Sequence, residues 1–136
     1  MGNNPPTGMP RVLARVSYDD VAPARTFLCD AFGFSEHEQS RVSDAHGHLS
    51  LTELVVNDSR IMLGRSGNHG QQSPQRLGGN PQMRIVYIDD AHHARALAGG
   101  AKLLMALNDA PLGDRRYEVE DCEGHRRAFH EHTGIG

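Results

Sequence analysis

The sequence predicts an α+β fold of two βαβββ modules, whose curved mixed sheets lie around a cleft. Three observations carry that prediction. A strand, a helix and three strands are readable in the first half of the chain, and the same order is readable again in the second. A displacement of 70 residues superposes Val16 on Val86, Asp19 on Asp89, Asp20 on Asp90, Ala24 on Ala94 and Arg25 on Arg95. Between the halves, Ser66–Pro81 is rich in Gly, Ser, Gln, Asn and Pro, the composition of a linker or mobile loop. The identities gather at a strand-to-helix turn, where two copies of one unit should share residues. In each module the helix covers one face of the sheet, and the two free faces leave the cleft.

Residues 1–10 read as a flexible lead-in, and 11–136 as a single domain: module one 11–65, connector 66–81, module two 82–132. Val12, Ala14 and Val16 alternate with Leu13, Arg15 and Ser17, the period-two pattern of a strand. Asp19-Asp20 then caps a helix that tolerates Pro23 in its first turn and stops at Gly33. Strands follow around Glu36–Val42, His48–Val56 and Arg60–Arg65, separated by the turn formers Asp44–Gly47 and Asn57-Asp58. In the second module Met83–Ile88 is the first strand. Asp89-Asp90 caps a helix through Ala98 that ends at Gly99-Gly100. Strands around Lys102–Leu107, Arg116–Val119 and Arg126–Glu131 complete it, with Gly113 and Gly124 at the turns.

Composition removes several function classes. A chain of 136 residues buries roughly two-thirds of its unfolded surface, enough for a core without disulfide staples. The net charge of -3 and the shortness of Arg115-Arg116 and Arg126-Arg127 argue against a nucleic-acid partner. Cys29 and Cys122 make neither a CxxC pair nor a disulfide framework. No apolar run approaches the roughly 20 residues that span a bilayer, and no secretory leader is visible. A cytoplasmic protein without membrane contact is expected.

Several motifs lie in a recognisable order. The second half carries Asp90-Ala91-His92-His93-Ala94-Arg95-Ala96, then Gly100-Ala101. Asp109, Pro111, Gly113-Asp114-Arg115, Tyr117 and Asp121-Cys122-Glu123-Gly124-His125 follow. The first half adds Phe27-Leu28, Ala31-Phe32-Gly33-Phe34 and Ile61-Met62-Leu63-Gly64. On these residues the chain resembles the glyoxalase/bleomycin-resistance/extradiol-dioxygenase (vicinal-oxygen-chelate) superfamily, and its bleomycin-resistance-like branch in particular. It departs from the family pattern at Cys122, where Pro is usual, and at Arg127, where Trp is common. The second helix is about two residues shorter on its approach from the strand. Arg127 has to snorkel or find an acidic partner.

The resemblance implies where a metal would sit. Its metal-dependent members take His, Gln or Glu ligands from each module's first and fourth strands. Those positions fall here on Leu13, Met83, Met62 and Ala128. None carries the oxygen or nitrogen donor that a hard cation needs, so neither metal nor other cofactor is expected. Strand alternation places Leu13, Arg15, Ser17, Arg60, Met62, Met83, Ile85, Tyr87, Arg126, Ala128 and His130 on the cleft faces. All but Ser17 are taken as ligand contacts. The set is largely apolar with a few hydrogen-bonding groups, as in small-molecule pockets.

Of the nine histidines, His46/His48 and His130/His132 are spaced to share a strand face, but one pair includes a turn and the other the chain end. They read as surface residues, His92-His93 as exposed, and His125 as a structural turn residue. Glu53 and His130 are acid/base candidates without a visible partner, and no nucleophile elbow or phosphate loop occurs. Three functions stay open. One is a protein that sequesters an apolar or aromatic drug or natural product. Another is a superfamily lyase, isomerase or dioxygenase with a non-standard site. The third is an interaction protein. The resemblance also implies a homodimer with two equivalent clefts.

Overall fold

The computed structural model of the chain describes residues 2, 4–88 and 92–133. Module one runs β1 (Ala14–Tyr18), α1 (Val21–Phe32), β2 (Ser35–Ser43), β3 (Leu49–Val56) and β4 (Ser59–Arg65). Module two runs β5 (Arg84–Tyr87), α3 (His92–Ala98), β6 (Lys102–Ala110), β7 (Asp114–Glu120) and β8 (Arg126–His132). The expected cap at Asp89-Asp90 lies outside the described residues. The sheets have orders β1-β4-β3-β2 and β5-β8-β7-β6, which is one topology used twice. In each, the first strand runs parallel to the last and the other pairings are antiparallel.

Val16 and Val86 are both third in their strands, opposite Leu63 and Phe129, so the displacement of the sequence repeat holds along the strands. It lapses in the helices: Ala24 is buried but Ala94 is exposed, and Ala96 takes the buried place. The edge strands β2 and β6 each carry breaks in register against their neighbours, so one edge of each sheet is irregular. The connector, where composition suggested only a loop, holds a 3-10 turn at Asn68–Gly70 and a short helix α2 (Pro74–Leu77). It is tied to module two by Gln75 N–H donating to the Glu123 carbonyl (3.2 Å) and by Asn80 to the Gly124 carbonyl (2.9 Å). No helix among the described residues is long and apolar enough to cross a membrane.

Both modules share one core. Val21, Ala24, Leu28, Ala31 and Phe32 fall on one face of α1 and pack with Val16, Tyr18, Leu54 and Leu63. Tyr117, Val119 and Phe129 of the second sheet belong to the same cluster. The Phe32 and Phe129 rings lie 4.9 Å apart across the halves. Gly33 ends α1 with φ 74°, as its place after the helical pattern requires. Gly99 permits the helices to touch, because a Cβ there would stand 2.5 Å from that of Ala31. His92, read from the sequence as exposed, is instead drawn inward. Its Nε2–H donates to the Phe32 carbonyl (2.8 Å), Tyr117 Oη donates to its Nδ1, and its ring lies 4.2 Å from Phe129. The long-range acceptor at the end of α1 pulls it there.

The turn Asp121–His125 clamps module two to the β1–α1 corner. Asp121 Oδ2 accepts from Arg127 Nη1 (2.7 Å) and Tyr18 Oη (2.5 Å), while Arg127 Nη2 donates to Tyr18 Oη (3.0 Å). The side chains of Arg127 and Asp121 are 1% and 0% exposed, so the arginine has found its acidic partner inside the protein. Glu123 accepts the backbone N–H groups of Asp19 (2.5 Å) and Asp20 (2.9 Å). The start of α1 is therefore capped by a carboxylate of the other module, and Asp20 makes no side-chain cap of its own. His125 Nε2–H donates to the Ser17 carbonyl (2.6 Å), the structural role its turn suggested.

Two outcomes follow from this clamp. Arg127→Met or Asp121→Asn alone should cost about 3–5 kcal/mol in urea unfolding, because each leaves a buried group unpaired. The double replacement Arg127→Met/Asp121→Asn should cost less than the sum of the two. Burial also pushes the His125 pKa from 6.5 down to about 4. The unfolded chain then takes up the proton first, so the stabilisation is complete above about pH 6.5 and is lost as pH falls toward about 4. His125 should contribute a loss on the order of 3 kcal/mol over that window, with His92 shifted in the same direction by burial. His125→Asn should flatten the slope in unfolding curves collected from about pH 7 to about pH 4.

Candidate functional site

The helices cover one face of each sheet and leave the other free, and strand alternation decides which side chains stand there. On the first sheet Arg15 lies opposite Met62, and Met62 lies opposite Glu53. On the second, Ile85 lies opposite Ala128, and Ala128 opposite Glu118. Met62 and Ala128 thus hold equivalent places, each beside the second residue of its module's first strand. Leu13 and Met83 each stand one residue ahead of that strand. The four positions obey the internal symmetry, two on each sheet. Their side chains offer no hard oxygen or nitrogen donor, so they do not fit a divalent ion. Among the described residues no group of three or more His, Cys, Asp or Glu is placed to hold one.

The other sequence-nominated residues divide by sheet. Arg60 pairs with Glu53 at 3.2 Å, and Ser40 Oγ donates to the same carboxylate at 3.0 Å. The acid/base candidate Glu53 is therefore tied to a cation. Met83, Ile85 and Tyr87 are 45%, 56% and 58% exposed, an apolar row that this chain leaves uncovered. Ala128 and His130 are buried behind that row in β8, and Arg126 is exposed at its end.

His130 has a partner that the sequence did not reveal. Asp114 at the start of β7 accepts from His130 Nδ1–H (2.9 Å), from His132 Nδ1–H (2.7 Å) and from Tyr87 Oη (2.8 Å). These three hydrogen bonds, that of His130 foremost, hold the Asp114 carboxyl well below the usual carboxylate range. In the neutral tautomer whose Nδ1–H donates to Asp114, the lone pair of His130 lies on Nε2, the arrangement of an oriented general base. The only signal for Asp114 was its place in the Gly113-Asp114-Arg115 motif.

A separate cavity of about 410 Å³ lies where the modules meet, between β1, β5, the Asp121–His125 turn and the connector. Arg15 is the one sequence-nominated residue that lines it. Arg15 lies flat across Gly64, where any Cβ would collide with its guanidinium, and donates from Nη1 to Gln71 Oε1 (2.9 Å) and Ser17 Oγ (3.1 Å). Arg84 enters from β5 and donates from Nη2 to His125 Nδ1 (3.2 Å). Both bonds of His125 require the neutral ring with its proton on Nε2, which agrees with its depressed pKa.

The comparisons with known proteins agree with this architecture. The family model described as "Glyoxalase/Bleomycin resistance protein/Dioxygenase superfamily" matches residues 10–129. The uncharacterized protein Rv0887c of Mycobacterium tuberculosis is 33% identical over 122 residues, spanning 85% of this chain and 71% of that protein. TioX from Micromonospora sp. ML1 superposes with a TM-score of 0.71 at 28% identity, over 89% of this chain and 97% of that one. TnmS3 from Streptomyces sp. CB03234 has a TM-score of 0.67 at 18% identity, over 89% and 93% of the two chains. The fosfomycin resistance protein FosX of Listeria monocytogenes has a TM-score of 0.64 at 16% identity, over 90% and 93%. With the repeated βαβββ topology, the paired cleft faces and a family match along nearly its whole length, the chain belongs to the glyoxalase/bleomycin resistance protein/dioxygenase superfamily.

Proposed function

We propose that this chain is a metal-free small-molecule-binding protein that sequesters an apolar or aromatic drug or natural product without altering it. The observation that carries the reading is the replacement of all four family ligand positions by Leu13, Met62, Met83 and Ala128. Stripping water from a divalent ion against such side chains would cost on the order of tens of kcal/mol. Burying a ligand on them instead gains roughly 25 cal/mol per Å² of apolar contact. Methionine suits the task because its flexible thioether adapts to irregular shapes. Arg15, Arg60, Arg126 and Tyr87 supply polar contacts around Ile85 and His130. The same fold serves TnmS3, an antibiotic binding protein, and FosX, a fosfomycin resistance protein. We assign the working form to a cytoplasmic homodimer with two equivalent clefts. The uncovered row Met83, Ile85 and Tyr87 favours pairing, and the free thiols Cys29 and Cys122 suit a reducing compartment.

One observation favours a second reading, a superfamily lyase or isomerase working by proton transfer. It is the Asp114–His130 pair, which presents an oriented Nε2 lone pair on the second sheet. Under that reading His130→Gln abolishes turnover and leaves binding within a few fold.

The sequestration reading is tested with Nile red, a neutral polycyclic probe, and with metal analysis of the purified protein. Nile red should bind stoichiometrically. Met83→Asp or Met62→Asp should weaken it by about tenfold or more while leaving the circular dichroism spectrum unchanged. A stoichiometric divalent ion, or turnover abolished by chelators, would overturn the reading. Sedimentation should find a dimer at micromolar concentration, and a monomer there would remove the proposed assembly.

A further inference from the structure

We propose that the cavity at the junction of the modules is a second site. It takes a small organic anion whose carboxylate or phosphate group rests on Arg15 and Arg84 and whose apolar body lies against Val16, Leu77 and Pro81. The inference does not depend on the sequestration reading, since Arg15 is the one residue taken as a cleft ligand contact that is shared.

The charge balance carries the argument. Two guanidiniums line the cavity, and its lining holds neither Asp nor Glu. Among the described residues neither arginine forms an ion pair. Arg15 donates only to Ser17, Gln71 and the Arg65 carbonyl, and Arg84 only to the neutral ring of His125. The buried carboxylate whose charge reaches Arg84, Asp121, is already taken by Arg127 and Tyr18. Arg84, half-buried, therefore sits beside the fully buried Arg127 without a counterion of its own, and its Nε is buried with no hydrogen-bond partner. Burial and the Arg127 charge both act against its protonated form. Such an arrangement costs the free protein stability, and an anion entering the cavity would relieve it. Guanidinium forks match carboxylate and phosphate oxygens, and the volume of about 410 Å³ with part-apolar walls suits a small molecule rather than a bare ion. Gly64 belongs to the same design, because any side chain there would displace Arg15 from the cavity.

The test compares benzoate, phenyl phosphate and the neutral benzamide by calorimetric titration of the full chain at low ionic strength. Benzoate or phenyl phosphate should bind, with affinity falling as salt rises, and benzamide should bind at least about tenfold more weakly. Tighter binding of benzoate identifies a carboxylic acid as the ligand class, and the reverse order a phosphate ester; either order supports the site. Arg84→Met should weaken anion binding about tenfold or more while its urea midpoint stays the same or rises, since an unpaired charge has been removed. Arg15→Met, whose partners are neutral, gives the same comparison should Arg84→Met fail to fold. Equal binding of benzoate and benzamide, or anion binding unchanged in both variants, would overturn the proposal. Nile red binding unaffected by Arg84→Met, alongside lost benzoate binding, separates this site from the apolar cleft.

Discussion

The buried Asp121 carboxylate is the constraint on which the rest of the architecture depends. It takes a charge from Arg127 and a proton donor from Tyr18, and through its other oxygen it closes its own turn by accepting the N–H groups of Glu123 and His125. Every second residue of that turn therefore reaches a different group of the β1–α1 corner. Tyr18 is fixed by Asp121, the first N–H groups before α1 by Glu123, and the Ser17 carbonyl by His125. The two modules are thereby welded at one corner, and the close approach of Gly99 to Ala31 completes the seam.

That weld decides which surfaces stay open. With the helices and their shared core occupying one side, the other faces of both sheets are left without a helix, and the gap beside the weld becomes a cavity. The two environments differ in kind. The sheet faces present Met, Ile, Leu and Tyr with charges held in local pairs such as Arg60–Glu53 and His130–Asp114. Among the described residues, the junction arginines hydrogen-bond to neutral groups. A single chain of 136 residues thus offers an apolar surface and a cationic pocket without crowding either.

Much of the fold was legible because local patterns determine it. Period-two alternation located β1 and β5, Gly33 and Gly99-Gly100 marked the helix ends, and the repeat placed Val16 and Val86 in matching registers. The features that escaped depend on partners distant in sequence. Nothing near His92 announces the Phe32 carbonyl that draws it inward. Nothing near Asp20 shows that Glu123 will cap its helix, and α2 forms in a segment whose composition favours loops. On the candidate site, alternation assigned the free faces residue by residue, but the carboxylate behind His130 and the pairing of Arg84 with His125 required the assembled sheets. Arg84 was missed for a further reason: in β5 it points away from the face that Met83, Ile85 and Tyr87 occupy, and only the adjoining module makes that side a cavity.

The bulged outer strands have a consequence for how this molecule meets others of its kind. A regular edge offers an unbroken row of N–H and C=O groups that a foreign strand can copy, which is the route to continuous sheets and fibres. Here β2 and β6, each at one edge of its sheet, break register against their own neighbours. The row at each rim is out of step, and β2 adds Glu36, Glu38 and Arg41 along its length. A stranger's backbone finds no template there. At these two edges recognition is steered away from promiscuous backbone pairing and toward side chains, the part of a protein surface that can tell one partner from another.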